Sequence, residues 1–352
     1  MPFGRHLVYT ALSDVAYATR SPVLFIVGPT AVGKTRLGIA LAQQFQGEVI
    51  NADSRQVYRG MEIGTAKPTP EERRQAQHHL LDLLDPAEDF SLGAFLTLAR
   101  DCIVEIDARG HLPIVVGGTG QYIWALAQGW QVPAVLPDPQ FRQEKERQAA
   151  EQGPMALYRE LAALDPVRAA QLDPRNVRRV IRALEVRQAQ THGRTETSPP
   201  AVPAILPCII GLTLSREELY HRIDVRVDAM MAAGFLEEAQ RLVSQGHKLG
   251  AGALACPGYR ELGQHLAGEI PLAEAVQRTK FQTHRMARRQ YTWFKLDDPR
   301  IHWLDASDPG LTGLAAAQVQ PFLSAKAACD TIARQPSQEA EDAIHQNARS
   351  GQ

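Results

Sequence analysis

Gly28-Pro29-Thr30-Ala31-Val32-Gly33-Lys34-Thr35 decides the fold. The octet follows an apolar run, Val23-Leu24-Phe25-Ile26-Val27, and opens a segment, Arg36 to Phe45, that reads as helix. Strand, glycine loop and helix in that order are the context of a phosphate-binding P-loop. Glycines let successive backbone N–H groups turn inward on an anion, and the helix N-terminus adds partial positive charge. Lys34 supplies a point charge for the outer phosphate, and Thr35 offers a hydroxyl to a magnesium ion. The octet marks a polyphosphate binder; it specifies neither ATP nor the reaction that follows.

Working outward, Glu48 to Asp53 predicts a second strand, and Asp53-Ser54-Arg55-Gln56 sits just past its end. In an open α/β sheet such residues line the ligand crevice, so Asp53 is expected on the same rim as the P-loop. On position alone a solvated loop acid or a helix cap explains Asp53 too. His78 to Leu84 reads as a buried strand or its approach, with the two histidines a hydrogen-bonding pair. Ser91 to Arg109 predicts a capped helix. Leu112 to Val116 is a core strand running into Gly117-Gly118-Thr119-Gly120, so Thr119 should also face the crevice, with a helix from Gln121 to Gln128 beyond. That strand does not end in an acid, as the Walker-B strand of many ATPases does, which weakens an ordinary nucleotide-hydrolysis reading.

The chain has 352 residues, 44% hydrophobic and 22% charged, enough for one large or two ordinary domains with a substantial core. Its formal net charge is −1, so any nucleic-acid surface must come from local basic clusters. Cys102, Cys208, Cys256 and Cys329 form no C-x-x-C pair, which argues against a zinc module and fits a reducing cytoplasm. No apolar run approaches membrane-spanning length, and no signal peptide is expected. Residues 1–20 read as an extension, 21–130 and 204–330 as the α/β core with its C-terminal helices, 131–203 as a helical insertion, and 331–352 as a disordered tail.

Within the insertion, Asn176 to Gln190 predicts an amphipathic helix with Val177, Val180, Ile181 and Leu184 on one face. Arg178, Arg179 and Arg182 crowd the neighbouring faces, a density that suits a polyanion better than plain solvation. Ile205 to Leu214 returns to the sheet. Ser215 caps a helix on which Arg222 and Arg226, four apart, share a face. Phe235 to Leu242 continues in helix, and Pro257-Gly258-Tyr259-Arg260 starts another. Pro271 is expected in the first turn of the last long helix, which carries Arg278, Lys280, His284, Arg285, Arg288, Arg289 and Lys295 with Tyr291, Trp293 and Phe294 between them. Basic residues among aromatics suit RNA, although Trp293 and Phe294 read better as core. After Leu304 the pattern fades.

Together these motifs resemble the bacterial-type tRNA dimethylallyltransferase (tRNA isopentenyltransferase) family from about Val23 to Trp303. The P-loop alone is widely shared. More specific are Asp53-Ser54 with Gln56 and Tyr58, Arg59-Gly60-Met61-Glu62-Ile63-Gly64-Thr65-Ala66-Lys67-Pro68, His78-His79-Leu80, Val116-Gly117-Gly118-Thr119, Arg182-Ala183-Leu184-Glu185-Val186, Gly258-Tyr259-Arg260, and Arg288-Arg289-Gln290 with Thr292-Trp293. The resemblance implies an α/β P-loop NTPase-like parallel sheet core with an inserted helical tRNA-binding domain. It implies transfer of a dimethylallyl group from dimethylallyl diphosphate to N6 of the adenosine 3′ of the anticodon, with Mg2+ as cofactor.

In that family pattern Asp53 is the general base, Thr119 helps hold the amine, and Lys34, Arg226 and Gly28 to Thr35 hold the diphosphate. The tRNA contacts carried over are Asp53, Ser54, Arg55, Gln56, Thr119, Arg142, Arg178, Arg179, Val180, Ile181, Arg182, Ala255, Cys256, Pro257, Gly258, Tyr259, Arg260, Arg288, Arg289, Gln290, Trp293 and Lys295. The implied partner is the tRNA anticodon stem-loop, gripped by a cytoplasmic monomer with no membrane association. Pro257 stands where the family usually has a β-branched residue and His284 where it usually has arginine. A small-metabolite or nucleoside kinase explains the P-loop equally well, and an adenylate isopentenyltransferase shares loop and base. Neither calls for the arginine-rich insertion. A catalytically silent RNA-binding protein does not call for intact Lys34, Thr35, Asp53 and Thr119.

Overall fold

A run of five apolar residues feeding a glycine loop needs cover on both faces, as a central parallel strand has. In a computed structural model, which describes residues 20–133, 135, 137–191 and 205–334 (side chains to 326), Val23 to Val27 are fully buried in β1 (Ser21–Val27). The chain continues through α1 (Lys34–Gln44), β2 (Gly47–Asn51), α2 (Pro70–Gln75), β3 (His78–His79), α3 (Leu92–Ala108), β4 (Leu112–Val116) and α4 (Gly120–Ala127). Next come α5 (Pro139–Gln152), α6 (Pro154–Leu164), α7 (Pro166–Ala169) and α8 (Val177–Thr191). The remainder is β5 (Ile205–Thr213), α9 (Arg216–Ala232), α10 (Phe235–Ser244), α11 (Tyr259–Leu266), α12 (Leu272–Trp293), β6 (His302–Asp305) and α13 (Leu311–Arg334).

The six strands form one sheet in the order β3-β2-β4-β1-β5-β6, and every neighbouring pair is parallel. This is the α/β class read from the sequence. Leu24 pairs with Ile114 on one side and Cys208 on the other. The chain leaves β1 for β2 on one side and later enters β5 on the opposite side. The carboxyl end of β1 is therefore a topological switch point, where ligands bind in such sheets. Leu24, Ile26, Leu37, Leu41, Ile114 and Ile210 close the main core. A second cluster gathers Met61, Phe235, Leu242, Tyr259 and Leu262.

The chain divides into one unit of residues 1–130 and 203–352 and another of residues 131–202. The smaller unit has its own core of Leu157, Leu161, Val180, Ile181 and Leu184. Prolines at the starts of α5, α6 and α7 fit there because the first helical N–H groups have no intrahelical partner.

Several expectations shift. β2 ends at Asn51, leaving Asp53 two residues beyond it. The strand expected over His78 to Leu84 stops after two residues, because Leu80 and Asp82 take left-handed backbone (φ 61 and 57). Pro271 is the N-cap of α12 and lies before its first turn. The fading pattern after Leu304 hides α13, which packs Ala315, Ala316 and Val319 on the core; its alanines and internal Pro321 gave little apolar periodicity. It reaches four residues into the tail expected to be disordered. The rest of that tail, most of the N-terminal extension and the Gly193 to Pro203 linker lie outside the described residues. No helix among the described residues is long and apolar enough to cross a membrane.

Candidate active site

The P-loop needs backbone that only glycine or a strained residue supplies: φ is 138 at Gly28, 65 at Ala31 and 100 at Gly33. A Cβ on Gly28 would also lie 2.4 Å from the Leu212 carbonyl oxygen. Among the described residues no side chain caps the N-terminus of α1, which leaves its first N–H groups facing an anion site. Pro29 and Val32 are buried beneath the loop, and Lys34 Nζ donates back to the Pro29 carbonyl at 2.7 Å.

The rim beside the loop is stitched from neighbouring strand ends. Asn51 Oδ1 accepts from Asp53 N at 3.0 Å, and its Nδ2 donates to the Asp53 and Leu80 carbonyls at 3.1 and 3.0 Å. Asp53 Oδ1 accepts from Arg55 N at 2.8 Å. Across the crevice, Thr119 Oγ1 accepts from Ser54 N at 3.1 Å, and Thr119 N donates to the Ala52 carbonyl at 3.3 Å. A Cβ on Gly117 would lie 2.3 Å from that same Ala52 oxygen, so the close approach of β4 to β2 requires glycine.

A cavity of about 350 Å3 opens here, lined among others by Thr30, Lys34, Thr35, Asp53, Arg222 and Arg226. Thr119 is not in its wall, but its neighbours Gly117 and Gly118 are. Gln56 also lines it, its amide held by the Thr65 and Ala66 carbonyls. Desolvation pushes the Lys34 ammonium down to about 8, with Asp53 pulling it up and Arg226 adding to the fall. The Arg226 guanidinium is likewise lowered by desolvation, opposed by Asp53 and Glu72. Two cations and one carboxylate thus sense one another across a desolvated site that can hold a polyanion and accept a proton beside it.

The donor set suits a hard cation. The Thr35 hydroxyl and Asp53 carboxylate are both oxygen donors on the cavity wall. Among the described residues no group of three or more His, Cys, Asp or Glu could hold a metal. Such sparse protein ligation is what magnesium uses when phosphate oxygens and water complete its shell.

The residues expected to contact RNA separate into surface and scaffold. Arg178 and Arg179 are exposed. Arg142 and Arg182 both grip Glu185, which is 3% exposed and also accepts from Asp138 N. Val180 and Ile181, also expected as contact residues, bury their side chains in the smaller unit's core. Tyr259 is likewise fully buried, its hydroxyl donating to Glu238 at 2.7 Å.

Gly258 is buried with φ 94, while Ala255 and Arg260 are exposed and Cys256 and Pro257 half-buried. Burial pushes the Cys256 thiol up to about 12. Arg55 spans to the Gly252 and Ala253 carbonyls, tying the Asp53 turn to this segment. On α12 and just beyond it, Arg288, Arg289 and Lys295 are exposed and Gln290 is half-buried facing inward. Phe294 is core at 1% exposure, but Trp293 is 40% exposed, so only one of the two aromatics follows the core reading. His284 stacks on Tyr220 with centroids 4.0 Å apart, and its Nε2 lies 2.8 Å from Asp224 Oδ1.

Buried acids escaped the sequence reading, Glu238, Glu185 and Glu48 among them. Glu238 accepts backbone N–H groups from Glu62, Ile63 and Gly64 at 2.8–3.0 Å, which fixes the turn between Arg59 and Pro68. Glu185 organises the insertion, and Glu48 holds Arg109, His79 and His111. The available signal was an acid on the apolar stripe of a helix or inside an apolar strand.

The IPP transferase family model matches residues 56–297, and an isopentenyl transferase model matches residues 21–84. The tRNA dimethylallyltransferase of Thermomicrobium roseum is 47% identical over 328 residues, covering 93% of this chain and 96% of that protein. That of Roseiflexus sp. is 50% identical, covering 86% and 99%. The solved tRNA isopentenylpyrophosphate transferase from Bacillus halodurans is 39% identical, covers 86% of this chain and 98% of its own, and superposes with a TM-score of 0.63. A eukaryotic dimethylallyltransferase acting on tRNA is 30% identical, covers 86% and 80%, and gives 0.70. With a family model spanning most of its length and relatives at these identities, the chain is a transferase that belongs to the IPP transferase family.

Proposed function

We propose that this chain, acting as a monomer, transfers a dimethylallyl group from dimethylallyl diphosphate to N6 of the adenosine 3′ of the anticodon in tRNA. The observation that carries the reading is one cavity wall holding the P-loop, Lys34 and Arg226 beside Asp53, with Thr119 bonded to the next residue. The N6 lone pair is delocalised into the purine, so it attacks well only if its proton leaves as the carbon–nitrogen bond forms. Asp53 takes that proton, and Thr119 orients the amine from the adjoining turn. The bond between C1 of the prenyl group and the diphosphate oxygen breaks, and its electron pair leaves with the diphosphate. P-loop N–H groups, Lys34 and Arg226 meet the charge that develops there. Magnesium, when held by Thr35, adds electrostatic stabilisation to the same oxygens. A stacked base cannot reach this crevice, so the adenosine is extruded to react.

The exposed Arg178 and Arg179 support tRNA over free nucleotide as acceptor. The test is diphosphate release from dimethylallyl diphosphate with and without tRNA, beside phosphate release from ATP. Release that depends on tRNA supports the reading, whereas turnover of ATP without prenyl transfer replaces it with the kinase.

A further inference from the structure

Two glycine turns meet at the reaction centre, and one side chain ties them together. Gln290 Oε1 accepts the N–H of Thr30 in the P-loop at 2.8 Å, and its Nε2 donates to the Gly118 carbonyl at 3.1 Å. These partners lie 260 and 172 residues away in the chain. A Cβ on Gly118 would stand 2.2 Å from Gln290 Nε2, so that glycine is the space the amide occupies. One turn later Trp293 closes on the same loop. A Cβ on Gly120 would lie 2.3 Å from Trp293 Cβ, and the Trp293 carbonyl accepts from Trp124 Nε1 at 2.9 Å. The end of α12 therefore brackets Thr119 on both sides.

We propose that Gln290 is a positioning residue, setting the spacing between the loop that holds the leaving group and the turn that holds Thr119. This rests on the function proposed above. Transfer requires the amine and the prenyl carbon at near-attack distance, about 3–3.5 Å. Thr30 stands on the diphosphate side and Gly118 on the amine side. Only a side chain that accepts at one end and donates at the other can serve both, and a primary amide does. A glutamate carboxylate can serve Thr30 alone and sets acceptor against acceptor at Gly118. A protonated glutamic acid restores both bonds.

The test compares wild type, Gln290→Met and Gln290→Glu. In Q290M, kcat for tRNA prenylation should fall roughly 10- to 100-fold. Its KM for dimethylallyl diphosphate should stay within about threefold. Amide exchange in the peptide covering residues 28–35 should quicken about tenfold. In Q290E, the ratio of its kcat to that of wild type should climb as pH falls from about 8 to about 5.5, because protonation recreates the donor. Unchanged kcat or unchanged exchange in Q290M, or a flat Q290E ratio, overturns the proposal. So does an equal loss in both variants at every pH with a lowered Tm, the mark of a purely structural role. Should wild type itself move no prenyl group to tRNA, the proposed function fails, and exchange at residues 28–35 alone decides the strut.

Discussion

Asp53→Asn removes the proposed base while disturbing little else. Among the described residues Asp53 Oδ1 accepts the Arg55 N–H alone, and an asparagine carbonyl oxygen can take the same bond. The Asn51 bridge to the Asp53 backbone is untouched by the change. What disappears is an acceptor for the N6 proton. General-base assistance is worth about 10²–10⁴ in rate, or roughly 3–5.5 kcal/mol of barrier. A second effect follows from the charge. The Asp53 carboxylate helps hold the Lys34 ammonium up, so without it Lys34 should lose its proton below its present value of about 8. Single-turnover transfer from labelled dimethylallyl diphosphate to tRNA should therefore slow at least about 100-fold at neutral pH. Filter binding of tRNA should be unchanged, and diphosphate affinity should begin to weaken at lower pH than in wild type. Near-normal transfer in the variant would falsify Asp53 as the base, and lost tRNA binding would make its role structural.

Three further outcomes can be checked independently. Lys34 binds diphosphate as the ammonium but sits at about 8 when desolvated, so affinity measured by calorimetry should fall as pH rises through that value, with proton uptake on binding; a flat profile from pH about 7 to about 9 contradicts this. Burial would push Glu48 up, but hydrogen bonds from Arg109, His79 and His111 hold it at about 2 against an ordinary 4.5, so its contribution is present above 4.5 and is lost as pH falls toward 2. Denaturant unfolding should lose roughly 3 kcal/mol across that window in wild type, and Glu48→Gln should lack that component of the acid dependence. Arg178→Ala with Arg179→Ala should weaken tRNA binding and flatten its salt slope by about 1.5, whereas Arg182, already committed to Glu185, should report on stability of the insertion.

The sheet and the rim of the site were legible because their signals are local. The octet from Gly28 to Thr35 carries its own backbone requirements, and Asp53 and the Gly117-Gly118 pair before Thr119 reach the cavity wall merely by following strands. What stayed hidden depends on partners far along the chain. Glu238 looks like one more acid in an amphipathic helix until it is seen to cap N–H groups 174–176 residues away. Gln290 reads as part of a basic RNA-facing helix, yet its side chain faces inward, where helical phase alone could not place it. Density of arginines likewise could not separate Arg178 and Arg179, which face solvent, from Arg142 and Arg182, which satisfy a buried carboxylate.

The central claim is best met by incubating the protein with dimethylallyl diphosphate, magnesium and unmodified tRNA, with AMP in a parallel tube, and analysing the products as nucleosides by mass spectrometry. Gain of one dimethylallyl mass on a tRNA adenosine, and none on AMP, is the expected result. Gain on AMP alone, or on neither, contradicts it.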